Sequence, residues 1–249
     1  VDKHGLDWLT WGRLSYDPTL GNDRIVALVG RRFPEVDAGR LLKAWQDASM
    51  VYPLVTGFHW GQFDFQWYIE ACKSRPQPAQ TASGFHDVNR FITLGVHPGT
   101  NNLTIPQYVE AVAAGTEPKG TTPPQVAEAL HRHANEALGL VAELEPRGNK
   151  ELAATLADIE AMAWLGRYYA CKIRGATELA LYRKTQREVH QLAAIAQLTD
   201  AAGHWERYTA LMMARYRNPM WTNRVGTIDW KLLTAEVAKD IEIARAPGK

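Results

Sequence analysis

Between Phe58 and Glu70 the chain reads Phe58-His59-Trp60-Gly61-Gln62-Phe63-Asp64-Phe65-Gln66-Trp67-Tyr68-Ile69-Glu70, seven aromatic or histidine side chains in thirteen residues, interleaved with amides and carboxylates. From Gln62 to Trp67 polar and aromatic residues alternate strictly, so an extended backbone would put Phe63, Phe65 and Trp67 on one side and Gln62, Asp64 and Gln66 on the other. Sugar binding needs that mixture: flat apolar faces to cover the C–H side of a pyranose, and carboxylates or amides to pair with its hydroxyls. The same aromatics could instead pack the segment onto neighbouring helices. A second group, Trp8, Trp11, Arg13, Tyr16 and Asp17, offers two indoles on one helix face. Arg13 there could clamp a carboxylate bidentately. In the alternative, Arg13 pairs with a nearby acid and both tryptophans lie buried in an interface.

Other chemistries find less support. A di-iron bundle wants Glu-x-x-His from each of two helices, and only Glu128-Ala129-Leu130-His131 has that spacing, so neither metal nor cofactor is expected. No Gly-x-Ser-x-Gly is present and neither cysteine has a local catalytic signature. Carboxylates for glycoside hydrolysis could be drawn from Asp64, Glu70, Asp158 and Glu160, but Asp158 and Glu160 are two apart on a helix and do not face each other. Arg167, Tyr168, Lys172 and Arg174 gather positive charge beside tyrosines, as a solvated face or as a pocket wall for an acidic ligand.

These residues need a frame, and the frame reads as helical. From Thr121 onward apolar residues recur every three or four positions: Val126, Leu130, Ala134, Ala137, Val141 and Leu144, then Leu152, Leu156, Ile159, Met162, Leu165, Tyr169 and Ile173. Thr122, Pro123 and Gln125 form a capping-box start, and Pro146-Arg147-Gly148 breaks the chain before Asn149 caps the next helix. The second helix is expected to run to about Arg183, a third to about Tyr216, and a last from about Asp229 to Ala244. Long helices with short connections predict an all-α, multi-helix bundle of antiparallel neighbours. Upstream, helices are predicted over 22–33 and 37–55, the latter with a kink at Pro53. Residues 74–104 read as a long ordered loop with one short apolar cluster at 88–94, followed by a helix opened by Thr104 and Gln107 and ended by Gly115.

Composition removes whole classes. With 28 basic and 27 acidic residues there is no electrostatic footprint for nucleic acid. No stretch approaches the roughly 18 apolar residues of a membrane span. Two cysteines are too few for a disulfide framework, though Cys72 and Cys171 leave one bridge open. Nine tryptophans are unusually many, and a start at Val1 without methionine suggests a processed chain or a piece of a longer one.

The run Trp11-Gly12-Arg13-Leu14-Ser15-Tyr16-Asp17-Pro18-Thr19-Leu20, then a helix, a Phe33-Pro34 break and a helix with Ala48-Ser49, resembles the start of the helical C-terminal domain of α-glucuronidase-like glycoside hydrolases. In those proteins a similar element leaves the TIM barrel. Ser15-Tyr16 stands where they usually have Ala-Trp. The whole chain, through Asp158-Ile159-Glu160-Ala161-Met162-Ala163 and Gly166-Arg167-Tyr168-Tyr169, is similar to the C-terminal part of large bacterial proteins labelled carbohydrate-binding or hexosaminidase-like.

The resemblance implies a parent whose catalytic carboxylates lie on the barrel, outside this chain. The expectation is therefore a single helical domain over 1–249, a C-terminal piece of a larger protein, with an irregular entry over 1–73 and the long-helix bundle over 121–246. Its expected role is accessory and non-catalytic alone: Trp11, Arg13, His59, Trp60, Phe63, Asp64, Trp67 and Glu70 would contact an oligo- or polysaccharide beside the barrel. A homodimer surface and a periplasmic or secreted location would follow from such a parent. The alternatives are a stand-alone lyase or hydrolase of acidic sugars, with His59 or Tyr68 as base and Arg13 or Arg167 neutralising a uronate, and a purely structural or oligomerisation domain.

Overall fold

The computed structural model describes residues 5–60, 67–74, 84–222 and 226–246. Among the described residues it is all-α apart from one short hairpin and a few isolated bridges. In chain order the helices are α1 (Gly5–Tyr16), α2 (Asn22–Arg32), α3 (Ala38–Ser49), α4 (Val51–Phe58), α5 (Val88–Thr93), α6 (Ile105–Ala113), α7 (Pro123–Val141), α8 (Lys150–Thr185), α9 (Glu188–Arg215) and α10 (Trp230–Arg245). A 3-10 turn spans Ile69–Ala71, and strands β1 (Met220–Thr222) and β2 (Gly226–Ile228) pair antiparallel.

Helix starts follow local chemistry. Thr104 with Gln107 and Thr122 with Gln125 both close reciprocal capping boxes, and a proline in the first turn forfeits an N–H that had no helical partner anyway. Asn149 accepts from the backbone N–H of Glu151 and Leu152, and Asp229 does the same for Lys231 and Leu232. Between α8 and α9 the chain turns at Gln186 in the left-handed region, φ 57°, which sets the two longest helices side by side.

Three expectations need correcting. The helix predicted over 37–55 breaks at Met50 instead of bending at Pro53. Proline lacks the N–H that would bond to Ser49 and clashes with that carbonyl, so the chain restarts and places Pro53 in the first turn of α4. Within the expected 74–104 loop, Asp87 accepts from the Arg90 N–H and opens α5. The hairpin before α10 was not anticipated at all.

Helix α8, thirty-six residues and about 54 Å long, is the spine. Its middle turns are buried on every face, with Tyr168, Tyr169, Ala170, Cys171, Lys172 and Ile173 consecutive in the core, so no single apolar stripe describes it. The expected basic face is thereby overturned: Tyr168 and Lys172 are buried, Arg167 donates to Asn135 Oδ1 at 2.8 Å and Arg174 to Glu128 at 2.5 Å. Two apolar clusters flank the spine. One gathers α2, α3, the later turns of α7 and the first turns of α8 around Phe33, Leu41 and Leu156; the other gathers α4, α5, α6, the early turns of α7, the rest of α8, α9 and α10 around Phe91, Tyr169, Trp205 and Trp230.

Close approach to α9 depends on Gly175, where an added Cβ would sit 2.7 Å from Leu198 Cγ. Gly175→Val is expected to lower stability by about 1–3 kcal/mol through overpacking, read as a depressed midpoint in a circular-dichroism melt. An unchanged midpoint would mean that α8 and α9 separate without strain. Cys72 and Cys171 are both buried free thiols, so the bridge left open by the sequence is not formed.

Candidate functional site

A cleft of about 540 Å³ opens between α1, α3, the 3-10 turn, α8, α9, the hairpin and the first residue of α10. Its aromatic walls are Trp45, Tyr68, Tyr208, Tyr216 and Trp230, and its carboxylates are Asp7, Glu70 and Asp158. The size and the mainly apolar lining with a few polar groups are those of a small-ligand site.

Glu70 is placed by its backbone. The 3-10 turn carrying it is held from two helices: Tyr208 of α9 donates to the Glu70 carbonyl at 2.9 Å, and Tyr169 of α8 donates to the Ile69 carbonyl at 2.5 Å. Cys72 ends the turn in the left-handed region, φ 46°, where Tyr68 and Lys73 form a one-residue bridge. With the main chain so pinned, burial pushes the Glu70 carboxyl above the usual carboxylate range, against a weaker hydrogen bond from its own N–H. Asp158 of α8 lies 3.4 Å from the Arg215 guanidinium, which also donates to the Ala154 carbonyl. The indole N–H of Trp230 is buried against the Tyr208 hydroxyl.

The fold brings His59 and Trp67 together in the core, ring centroids 5.1 Å apart, and places the other described candidates elsewhere. His59 caps the end of α4 and is 1% exposed, stacked on Phe91 at 3.8 Å, with Nε2 at 2.8 Å from His86 Nδ1. The other His86 nitrogen meets Ser74 Oγ at 3.1 Å. Burial, with Arg90 and Lys172 nearby, holds His86 down at about 3, and burial with His86 and Lys172 holds His59 well below the ordinary imidazole range. Any part His59 has in binding is therefore through what it packs against. Trp67 is buried too, edge-on to Tyr169. Trp60 is half-buried, with its ring edge on His97 and its backbone bridged to Gly95. Phe63 and Asp64 lie outside the described residues. Trp11 and Arg13 stand exposed on α1, and Trp11, with Trp8, lies on the surface rather than in an interface of this chain. Of the eight, Glu70 lines the cleft.

The cleft's other members carry a fainter sequence signal. Thr155, Asp158, Met162 and Leu165 repeat every three or four residues of α8, which puts Asp158 on the stripe that lines the cleft. A carboxylate within an apolar stripe was the available clue.

Two further polar clusters are structural. Lys172, fully buried, places Nζ 2.8 Å from Asp240 of α10, donates to the His86 carbonyl at 2.7 Å and to Tyr168 OH at 3.1 Å, and lies over the Phe85 ring. Burial works against its charge, but Asp240, Cys72 and Asp87 together outweigh burial and hold the ammonium above its ordinary range. Among the described residues, Asp47, His133 and Glu136 are close enough to share a cation. That place is taken by the Lys43 ammonium, 2.5 Å from Asp47 and 2.8 Å from Glu136.

No protein-family model matches the chain, and no curated protein matches it in sequence. In fold the chain is similar to a GH138 enzyme targeting pectin rhamnogalacturonan II, with a TM-score of 0.71 and 13% identity over 94% of this chain and 36% of that one. The chain thus spans about a third of that glycoside hydrolase's length, and what the two share is the helical fold.

Proposed function

We propose that the chain is a helical module of a carbohydrate-active enzyme and that its cleft is a sugar-contacting wall, with the bond-breaking carboxylates supplied by another part of the parent protein. The observation that carries this reading is the cleft itself, in which Glu70 stands among five aromatic rings on a fold that also occurs in a glycoside hydrolase. A pyranose offers two surfaces, and each has a counterpart. Its C–H face suits Trp45 and Tyr68, while its hydroxyls suit Glu70, whose carboxyl oxygens accept from them. On α1, Trp11 lies four residues beyond Asp7 and so on the same helix face, where it would extend the contact outward as an exposed platform. His59 and Trp67 lie in the core one layer behind and help to hold the 3-10 turn.

Adding oligosaccharides to the chain and following tryptophan fluorescence and amide chemical shifts tests the reading. Saturable shifts at Trp45 and Trp230 are expected, with binding weakened at least about tenfold, roughly 1.4 kcal/mol, by Trp45→Ala or Glu70→Gln. Silence toward every neutral, uronic and amino-sugar oligomer tried would sink it.

A further inference from the structure

A carboxylate drawn partly out of water, without a cation and among aromatic rings, is an arrangement that receives an organic ammonium. We infer that the cleft holding Glu70 binds a small alkylated ammonium ion, with the Glu70 carboxylate opposite its charge and the rings and methionines around its alkyl groups. This ligand class lies beyond the sugar-binding reading and stands or falls separately from it.

Glu70 supplies the charge. It is half-buried, and among the described residues no ion pair or hydrogen bond from another residue reaches its side chain; its own backbone N–H is the donor it has. Burial pushes its carboxyl up, as expected of a charge kept from water without a counter-ion. The other carboxylates of the cleft are differently placed, since Asp158 is paired with Arg215 and Asp7 has an interaction of its own. No lysine, arginine or histidine stands among the described lining residues, so the place opposite Glu70 is left for a ligand.

The rings supply the second attraction. Trp45 of α3, Tyr68 before the 3-10 turn, Tyr208 of α9, Tyr216 at its end and Trp230 of α10 line the same space. The face of an aromatic ring is electronegative and attracts a cation that sheds water easily. Burial first, and the Glu70 charge next, raise the phenol of Tyr208, which sets that ring and the carboxylate within electrostatic reach of each other. Elsewhere the protein fills such faces itself: Arg167 lies over Trp164, and Lys172 over Phe85, Phe91 and Tyr168. Among the described residues no side-chain cation lies over Trp45, Tyr68, Tyr208 or Trp230.

The rest of the wall selects an alkylated nitrogen over a primary one. A primary ammonium has three N–H donors and holds its water firmly, so it needs several acceptors. Here the Trp230 N–H lies against the Tyr208 hydroxyl, which donates to the Glu70 carbonyl, and those polar ends are used within the protein. Met162, Met212 and Met220 instead bring three thioethers to the cavity, beside Leu165 and Ile228. Thioethers adapt to irregular apolar shapes such as a cluster of N-methyl groups.

Choline and 3,3-dimethylbutan-1-ol share shape and hydroxyl and differ in whether the branched centre is a charged nitrogen or a neutral carbon. The intact chain is titrated with each, and with ethanolamine and methyl galactoside, following amide chemical shifts at neutral pH. Choline is expected to saturate the cleft, with the neutral isostere and ethanolamine each weaker by at least about tenfold. Glu70→Gln should weaken choline by at least about tenfold and leave the isostere within about threefold. If that variant folds poorly, the comparison of choline with its isostere on the unaltered chain decides by itself. An isostere that binds as tightly as choline overturns the inference, because the cleft then reads shape without charge. Ethanolamine binding as tightly as choline overturns it in favour of a primary ammonium, and silence toward choline overturns it outright. Galactoside shifts with choline silent keep the sugar reading and remove this one; choline binding with galactoside and longer oligosaccharides silent does the reverse.

Discussion

Lys172→Met is expected to destabilise the fold by about 3–5 kcal/mol, because it leaves the Asp240 carboxylate buried and without its cation. The charge pair crosses from α8 to α10, and the second carboxylate oxygen accepts from the Val88 N–H at the start of α5, 2.8 Å away. One buried acid thus joins three helices, and losing its partner is felt at all of them. Replacing both ends, Lys172→Met with Asp240→Leu, is expected to recover most of the loss, since an apolar pair removes the desolvation problem rather than creating one. Recovery should remain incomplete by about 1–3 kcal/mol for the Val88 N–H left without an acceptor. Urea unfolding at neutral pH measures all three forms. A single-variant loss below about 1 kcal/mol would show that the pair is hydrated or dispensable.

The second large effect is loss of stability in mild acid. His86 sits at about 3 in the folded chain against an ordinary 6.5, and His59 is shifted the same way, chiefly by burial. A depressed folded-state pKa means that the unfolded chain takes up protons which the folded chain refuses. The stabilisation is therefore fully present above about pH 6.5 and is lost progressively as the pH falls toward 3. At 1.36 kcal/mol per pH unit, His86 alone should forfeit about 2 kcal/mol by pH 5, with a further loss in the same direction from His59. Thermal midpoints taken from pH 7 to pH 4 should fall accordingly, and His86→Asn should flatten the curve. A midpoint unchanged between pH 7 and pH 5 would mean that the imidazoles can be protonated in place.

How far the residues announced this structure depends on how local each feature is. Helix starts were legible because a cap and its partner lie within three residues, as with Thr104 and Gln107, Thr122 and Gln125, or Asn149 and Leu152. The α3–α4 break was half legible: Pro53 marked the disturbance, but a proline acts on the carbonyl four residues earlier, and so the chain parts at Met50. Lys172 is not legible as a core residue because charge in a sequence suggests solvent unless its counter-ion is known, and Asp240 lies on another helix. Glu70 could be named as a candidate from its aromatic neighbours. Its position could not, since it is set by tyrosines 100 and 138 residues away from the carbonyls they hold. Asp158 and Glu70 both stand among the candidate carboxylates of the sequence, but only the cleft sets them, with Asp7, on one cavity across the fold.

The length of α8 has a consequence for how the molecule comes apart. Its early turns give Leu152, Leu156 and Ile159 to one apolar cluster, its later turns give Leu165, Ile173 and Leu179 to the other, and Met162 packs against both. A boundary between two independently melting halves would have to fall inside an unbroken helix and strip its backbone hydrogen bonds where they are most protected. The two cores are therefore expected to unfold as one cooperative unit, with the central α8 amides exchanging only on global opening, which hydrogen exchange would read.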